Sequence, residues 1–261
     1  MVKVSDIIKI IERLAPLALK QDYDNVGLLV GSRDMPAAKI MCCLDVTDSV
    51  INEAVKAKID LIISHHPLIF NSVMTVTDDT VLGGKLLKLI RNNIAVYSAH
   101  TNLDFCDGGI NDYVADIIGL TAIEPLFDND SANPGRIGYL TDKISLDKLR
   151  LKIAASINDK YVSIIGDKER TIKSVIVVNG SGGGDTKIID RAVELRADCV
   201  FTAEVKHHVA AYALDCCIAI IEAQHSCMEH CYITKLVKII KEHQPQAQIL
   251  QSKSDISIIR S

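Results

Sequence analysis

Apolar residues along this 261-residue chain fall into two alternating rhythms, one of helical spacing and one of short unbroken runs. Ile7, Ile11 and Leu14 recur at helical spacing, which predicts a helix over 6–14 with Ser5 as its cap. A turn-prone stretch, QDYDNVG, then leads into an apolar strand, LLVG. Strands are expected at 39–44 (KIMCCL), 59–63 (IDLII) and 94–97 (IAVY), separated by helices near 48–58 and 83–92, with a further helix near 109–119. These strand runs are apolar throughout rather than alternating, the pattern of a parallel sheet covered on both faces. Strand–helix–strand units of this length imply right-handed crossovers.

Residues 128–135 (DNDSANPG) interrupt the rhythm with turn formers and mark the expected lobe boundary. Beyond it come strand RIGYL, helix 145–157, and strands YVSII and SVIVV. Helix 186–196, strand DCVF, helix 205–214, strand IAII and a long helix from about 225 to 242 follow. The pattern therefore predicts two α/β lobes, residues 1–127 and 128–261, with the site in a cleft.

Composition narrows the functional classes. A net charge of −4 gives no bulk basic field for nucleic acid, and seven Tyr, four Phe and no Trp offer few base-stacking rings. No apolar run approaches the roughly 18–20 residues of a membrane span. The amino-terminal stretch mixes charge with apolar residues, unlike a signal peptide. Eight cysteines without a CxxC read as small buried hydrophobes in a reducing compartment. The expectation is a cytoplasmic protein with no membrane or nucleic-acid partner.

Histidine carries the chemical signal. His65 and His66 lie in SHHP, directly after strand IDLII, and His100 and Asp104 lie in HTNLD, directly after strand IAVY. Ligands of open α/β sheets bind beyond the carboxyl ends of strands, so both motifs are expected at one sheet edge, with Asp45 of CLDVTD a neighbour. Pro67 favours an extended His66, and extended neighbours point opposite ways, so the pair is expected to serve two adjacent sites. In AQHSCMEH, His225 and Glu229 stand at i and i+4, about 40° apart around a helix, which is ligand spacing on one face. Cys227 projects away from that face, so a Cys/His zinc knuckle is a poor fit.

The candidate ligands His65, His66, Asp104, His225 and Glu229, three imidazoles and two carboxylates, favour a borderline divalent ion (Zn²⁺, Fe²⁺, Mn²⁺, Co²⁺ or Ni²⁺) over Ca²⁺. Five ligands exceed the needs of one open site and suggest two ions with open positions, a hydrolase geometry. The loop VVNGSGGGD, with Gly182 and Gly183, has a shape that packs a strand on a helix or receives an anion. In TAEVKHH, Glu204 and His208 are read as an i,i+4 pair that faces substrate or packs locally.

YDNVGLLVG, LDVTDSV, LIISHHPLIF, YSAHTNLD with GGINDYVA, GRIGYL, GSGGGD, TAEVKHH and AQHSCMEH occur in the order seen in the Nif-three-like family, also called GTP cyclohydrolase 1 type 2 homologues. The chain resembles the short form of that family along nearly its whole length. The resemblance implies two similar interleaved α/β lobes with mostly parallel central sheets flanked by helices, and a toroidal homohexamer. It also implies a dinuclear metal site held by His65, His66, Asp104, His225 and Glu229, with the helix from about 225 returning its ligands to the first-lobe site. His100 would sit beside the metals as the catalytic proton carrier. The activity it implies is hydrolysis of a nucleotide or a small phosphorylated substrate, in the manner of a GTP cyclohydrolase. A non-catalytic oligomeric metal-binding or scaffold protein is the competing expectation. Gln224, Ser226, Met228 and Ala203 depart from the family pattern, which bears on substrate contacts rather than on the ligands.

Overall fold

The computed structural model describes residues 1–127 and 134–255. Most of the expected loop at 128–135 and the last six residues lie outside the described residues. The chain divides into two compact units. One comprises Met1–Cys106 and the chain from Tyr232 through the last described residues; the other is Asp107–Cys231. The division thus falls about twenty residues before the expected 127/128 boundary, and the chain returns to its first unit.

The first unit opens with helix α1 (Val4–Leu14), whose entry is held by Asp6 accepting the Lys3 backbone N–H at 3.0 Å, not by Ser5. Strand β1 (Gly27–Val30) and strand β2 (Lys39–Cys43) follow. Helix α2 (Asp48–Ala57) is capped by the Thr47 hydroxyl. Strand β3 (Leu61–Ser64), helix α3 (Val81–Arg91) capped by Thr80, strand β4 (Ala95–Ser98) and the short helix α4 (Thr101–Phe105) complete this stretch.

In the second unit come α5 (Ile110–Ile117), β5 (Leu120–Pro125), β6 (Arg136–Ser145), α6 (Leu146–Ser156), β7 (Ser163–Ile165) and β8 (Thr171–Val177). A tight turn at Gly180–Gly184 leads to α7 (Lys187–Glu194), β9 (Cys199–Ala203), α8 (His207–Asp215) and β10 (Ala219–Ala223). Helix α9 (His225–His243) and strand β11 (Gln248–Gln251) close the order.

The sheet of the first unit has the order β1-β4-β3-β2-β11. Strands β4, β3, β2 and β11 run parallel and β1 is antiparallel to β4. Its inner strands are buried at every position in β3 and β4, which explains their unbroken apolar sequences. Met41, Ile62 and Val96 of the sheet pack with Val50 and Ile51 of α2 and Leu86 and Leu89 of α3 in one core. The second sheet, β5-β6-β8-β9-β10-β7, is parallel only across β8, β9 and β10; its other three pairings are antiparallel. Ile176, Val200 and Ile220 on its face form a core with Ile188 and Ile189 of α7 and Val209 of α8. Among the described residues no helix is long and apolar enough to cross a membrane.

Candidate metal centre

Strands β3 and β4 are adjacent and parallel, with Ser64 opposite Ser98 at their carboxyl ends. The residues that follow, His65–His66 and His100, therefore emerge at one edge, as the sequence pattern predicts. The two strand ends are tied by a 2.7 Å bond between the Ser64 and Ser98 hydroxyls, and Ser64 Oγ also donates to the His66 carbonyl at 2.8 Å. This second bond turns the chain at His66, so strand alternation stops at Ser64. The histidine rings consequently do not point opposite ways. His65 and His66 have centroids 5.0 Å apart, and His100 lies 5.1 and 5.5 Å from them.

Each ring is held through the same nitrogen. His65 Nδ1 lies 2.9 Å from the Ala99 carbonyl, His66 Nδ1 2.9 Å from Asp45 Oδ1, and His100 Nδ1 2.9 Å from Asp24 Oδ1. A carbonyl or a carboxylate accepts and does not donate, so each Nδ1 is the ring nitrogen that donates to its oxygen. This is the arrangement that metal-ligating histidines adopt, with the far nitrogen donating to an orienting oxygen. One donor atom from each of His65, His66 and His100 lies within 4.8 Å of the others. Asp104 on α4 brings Oδ1 to 3.5 Å from His65 Nε2. The set thus fits a borderline divalent cation on its donor chemistry.

Asp24 is the residue that sequence reasoning passed over. It lies in the turn-prone YDNVG segment, is buried, and accepts from His100 Nδ1, from the Thr101 backbone N–H at 3.1 Å and from the Thr101 hydroxyl. Burial alone would raise its pKa, but the hydrogen bonds from His100 and Thr101 prevail and hold it down to about 2. The only sequence signal was a carboxylate in a turn, which turn chemistry explains equally well.

In the second unit, His225 opens α9 and its Nε2 lies 2.9 Å from Glu229 Oε1, the expected i,i+4 contact. His225 Nδ1 is 3.1 Å from Glu204 Oε1. Glu204 precedes α8 with a left-handed φ of 54°, so it shares no helical turn with His208 and is turned toward His225 instead. His208 is exposed on α8. Glu229 is buried and accepts from Asn179 Nδ2 at 3.2 Å. Next to Asn179, Gly180 has φ +62°, and a Cβ there would stand 2.9 Å from Glu229 Oε1. A Cβ at Gly182 would strike the Val178 side chain at 2.2 Å and one at Gly183 the Ala203 carbonyl at 2.4 Å. Both glycines thus allow close packing at the ends of β8 and β9. Gln224 turns toward Asp159, donating its backbone N–H at 2.8 Å and its side-chain amide at 2.9 Å.

Burial pushes the Cys42, Cys199 and Cys231 thiols up to about 12, and among the described residues no cysteine belongs to a group of donors close enough to share an ion.

Sequence comparison decides the lineage. Residues 2–257 match the Duf34/NIF3 (NGG1p interacting factor 3) family. The chain belongs to this family. Its relatives include a Clostridium acetobutylicum protein, 39% identical over 85% of this chain and 84% of that protein, and a Clostridium perfringens protein, 37% identical over 92% of both. Each is named GTP cyclohydrolase 1 type 2 homolog. A Bacillus cereus protein described as related to NIF3 shares the fold, with a TM-score of 0.88, 22% identity and 99% of both chains covered. The likeness in fold thus extends over nearly the whole of both chains.

Proposed function

We propose that the protein is a divalent-metal-dependent hydrolase in which His65, His66, Asp104, His225 and Glu229 hold two ions. Its substrate is a nucleotide or related small phosphorylated molecule, and GTP-cyclohydrolase-like ring opening is the first candidate because relatives carry that name. The observation that supports this reading best is the common orientation of His65, His66 and His100, each with Nδ1 on a fixed acceptor and Nε2 directed elsewhere. That orientation leaves Nε2 of His65 and His66 for an ion and Nε2 of His100 for a proton.

Bound divalent ions would supply Lewis acidity and lower the pKa of water in the site. The chain's own residues supply positioning and proton transfer. His100 accepts a proton at Nε2, and the Asp24 carboxylate at its Nδ1 stabilises the resulting imidazolium. Asp45 and the Ala99 carbonyl hold His66 and His65 in register. Glu204 and Asn179 do the same for His225 and Glu229.

The test is a turnover screen of purified, Mn²⁺- or Zn²⁺-loaded protein against nucleotides and phosphoesters, with His66→Ala alongside. Turnover abolished in the variant supports the reading. Metal binding without turnover on any substrate would favour the scaffold function instead. The same reading includes a homohexamer, for which light scattering should give six times the 28.5 kDa chain mass.

A further inference from the structure

Strand β11 lies parallel to β2, with Gln248–Gln251 opposite Lys39–Cys42. The chain continues along β2 instead of leaving the sheet. Ser252 donates its backbone N–H to the Cys42 carbonyl at 2.9 Å, and its hydroxyl donates to Glu53 of α2 at 2.7 Å. Glu53 also accepts the backbone N–H groups of Lys253 and Ser254, at 3.1 and 2.9 Å. The strap ends by placing the Asp255 carboxylate on two consecutive backbone N–H groups at the end of β2, those of Leu44 and Asp45.

Those two residues hold His66 twice. The Leu44 carbonyl accepts the His66 backbone N–H at 2.9 Å, and Asp45 Oδ1 receives His66 Nδ1 at 2.9 Å. The order of contacts is then continuous: Asp255 fixes the Leu44–Asp45 backbone, and that backbone fixes His66 at both main chain and ring. Charge-assisted bonds to backbone N–H groups are among the stronger hydrogen bonds available, so the carboxylate is suited to locking this corner.

We propose that Asp255 is a positioning residue for His66, and that the strap 252–255 sets the tautomer and aim of that imidazole from the far end of the chain. The metal-affinity part of this proposal rests on the function proposed above; the effect on the histidine ring does not.

The experiment uses full-length protein carrying Asp255→Ala or Asp255→Asn, with Asp45→Asn as a reference. In metal-free protein, ¹⁵N–¹H correlation of the histidine rings should show His66 in the Nδ1–H form in the wild type. Asp255→Ala should shift His66 toward a mixture, leaving the His65 and His100 signals in place. Asp255→Asn keeps one acceptor oxygen, so it should give a smaller shift in the same direction and serves if the alanine variant does not fold. Competition for Zn²⁺ against a chromophoric chelator should show affinity reduced about tenfold in Asp255→Ala, at the low end for outer-shell residues. A lower melting temperature with unchanged His66 signals would overturn the proposal and leave the strap a purely structural feature. If the wild type binds no Zn²⁺, the metal centre fails, while the ring signals still decide the role of Asp255.

Discussion

Each of the three clustered histidines has its own Nδ1 acceptor, and two of the three acceptors are acidic side chains. Asp24 is the more deeply placed of the two. Its pKa lies near 2 in the folded chain against 3.8 for the free side chain, so the unfolded state takes up the proton first as pH falls. The stabilisation is therefore complete above about pH 4 and disappears as pH falls toward 2, and it amounts to about 2 kcal/mol at neutral pH. Urea denaturation of wild type and Asp24→Asn should differ by about that amount at pH 7, with the gap narrowing below pH 4. A gap that is constant with pH would show that Asp24 acts by packing. The histidines themselves were legible from SHHP and HTNLD, because imidazoles after two neighbouring strands have one shared destination. Asp24 was not, because its partner is 76 residues away in sequence and a turn needs an aspartate for local reasons.

At the scale of elements, ionic and steric fits hold the second unit together. Arg136 opens β6 and is 2% exposed, with Nε 2.6 Å and Nη2 3.1 Å from the two oxygens of Asp112 on α5. Asp112→Ala removes the bidentate carboxylate from a buried guanidinium that also contacts the Gly135 carbonyl and Asp107, and should cost about 3 kcal/mol in a urea titration. A cost below about 1 kcal/mol would mean that Arg136 finds other acceptors. Gly180→Ala meets both a left-handed φ and Glu229 Oε1 at 2.9 Å, and should destabilise by about 1–2 kcal/mol and displace the carboxylate. The buried strands were readable as apolar runs, whereas β5 and β11 were not. Strand β5 is largely exposed and ends in Pro125, and β11 is QILQ with two polar ends. Edge strands face solvent and lose the apolar signature. The long helix from His225 was anticipated to within a residue, because its i,i+4 pattern begins directly after a buried strand.

For the whole molecule, the discontinuity of the first unit was the least legible feature, since composition records turns but not which sheet a distant strand joins. Strand β11 returns to β2 across about two hundred residues, a pairing specified only by the completed fold. A metal-dependent site makes global stability depend on ion concentration: chelation should lower the melting temperature and excess Zn²⁺ or Mn²⁺ should raise it, by the linkage between binding and folding. An unchanged midpoint would argue that any bound ion is superficial. The central claim, that His65, His66, Asp104, His225 and Glu229 hold two ions, is tested most directly by elemental analysis of protein loaded with metal and exhaustively desalted. Two equivalents per chain are expected in the wild type, with a loss of metal in both His66→Ala and Glu229→Ala. Wild-type protein without stoichiometric metal, or both variants retaining the full complement, would contradict it.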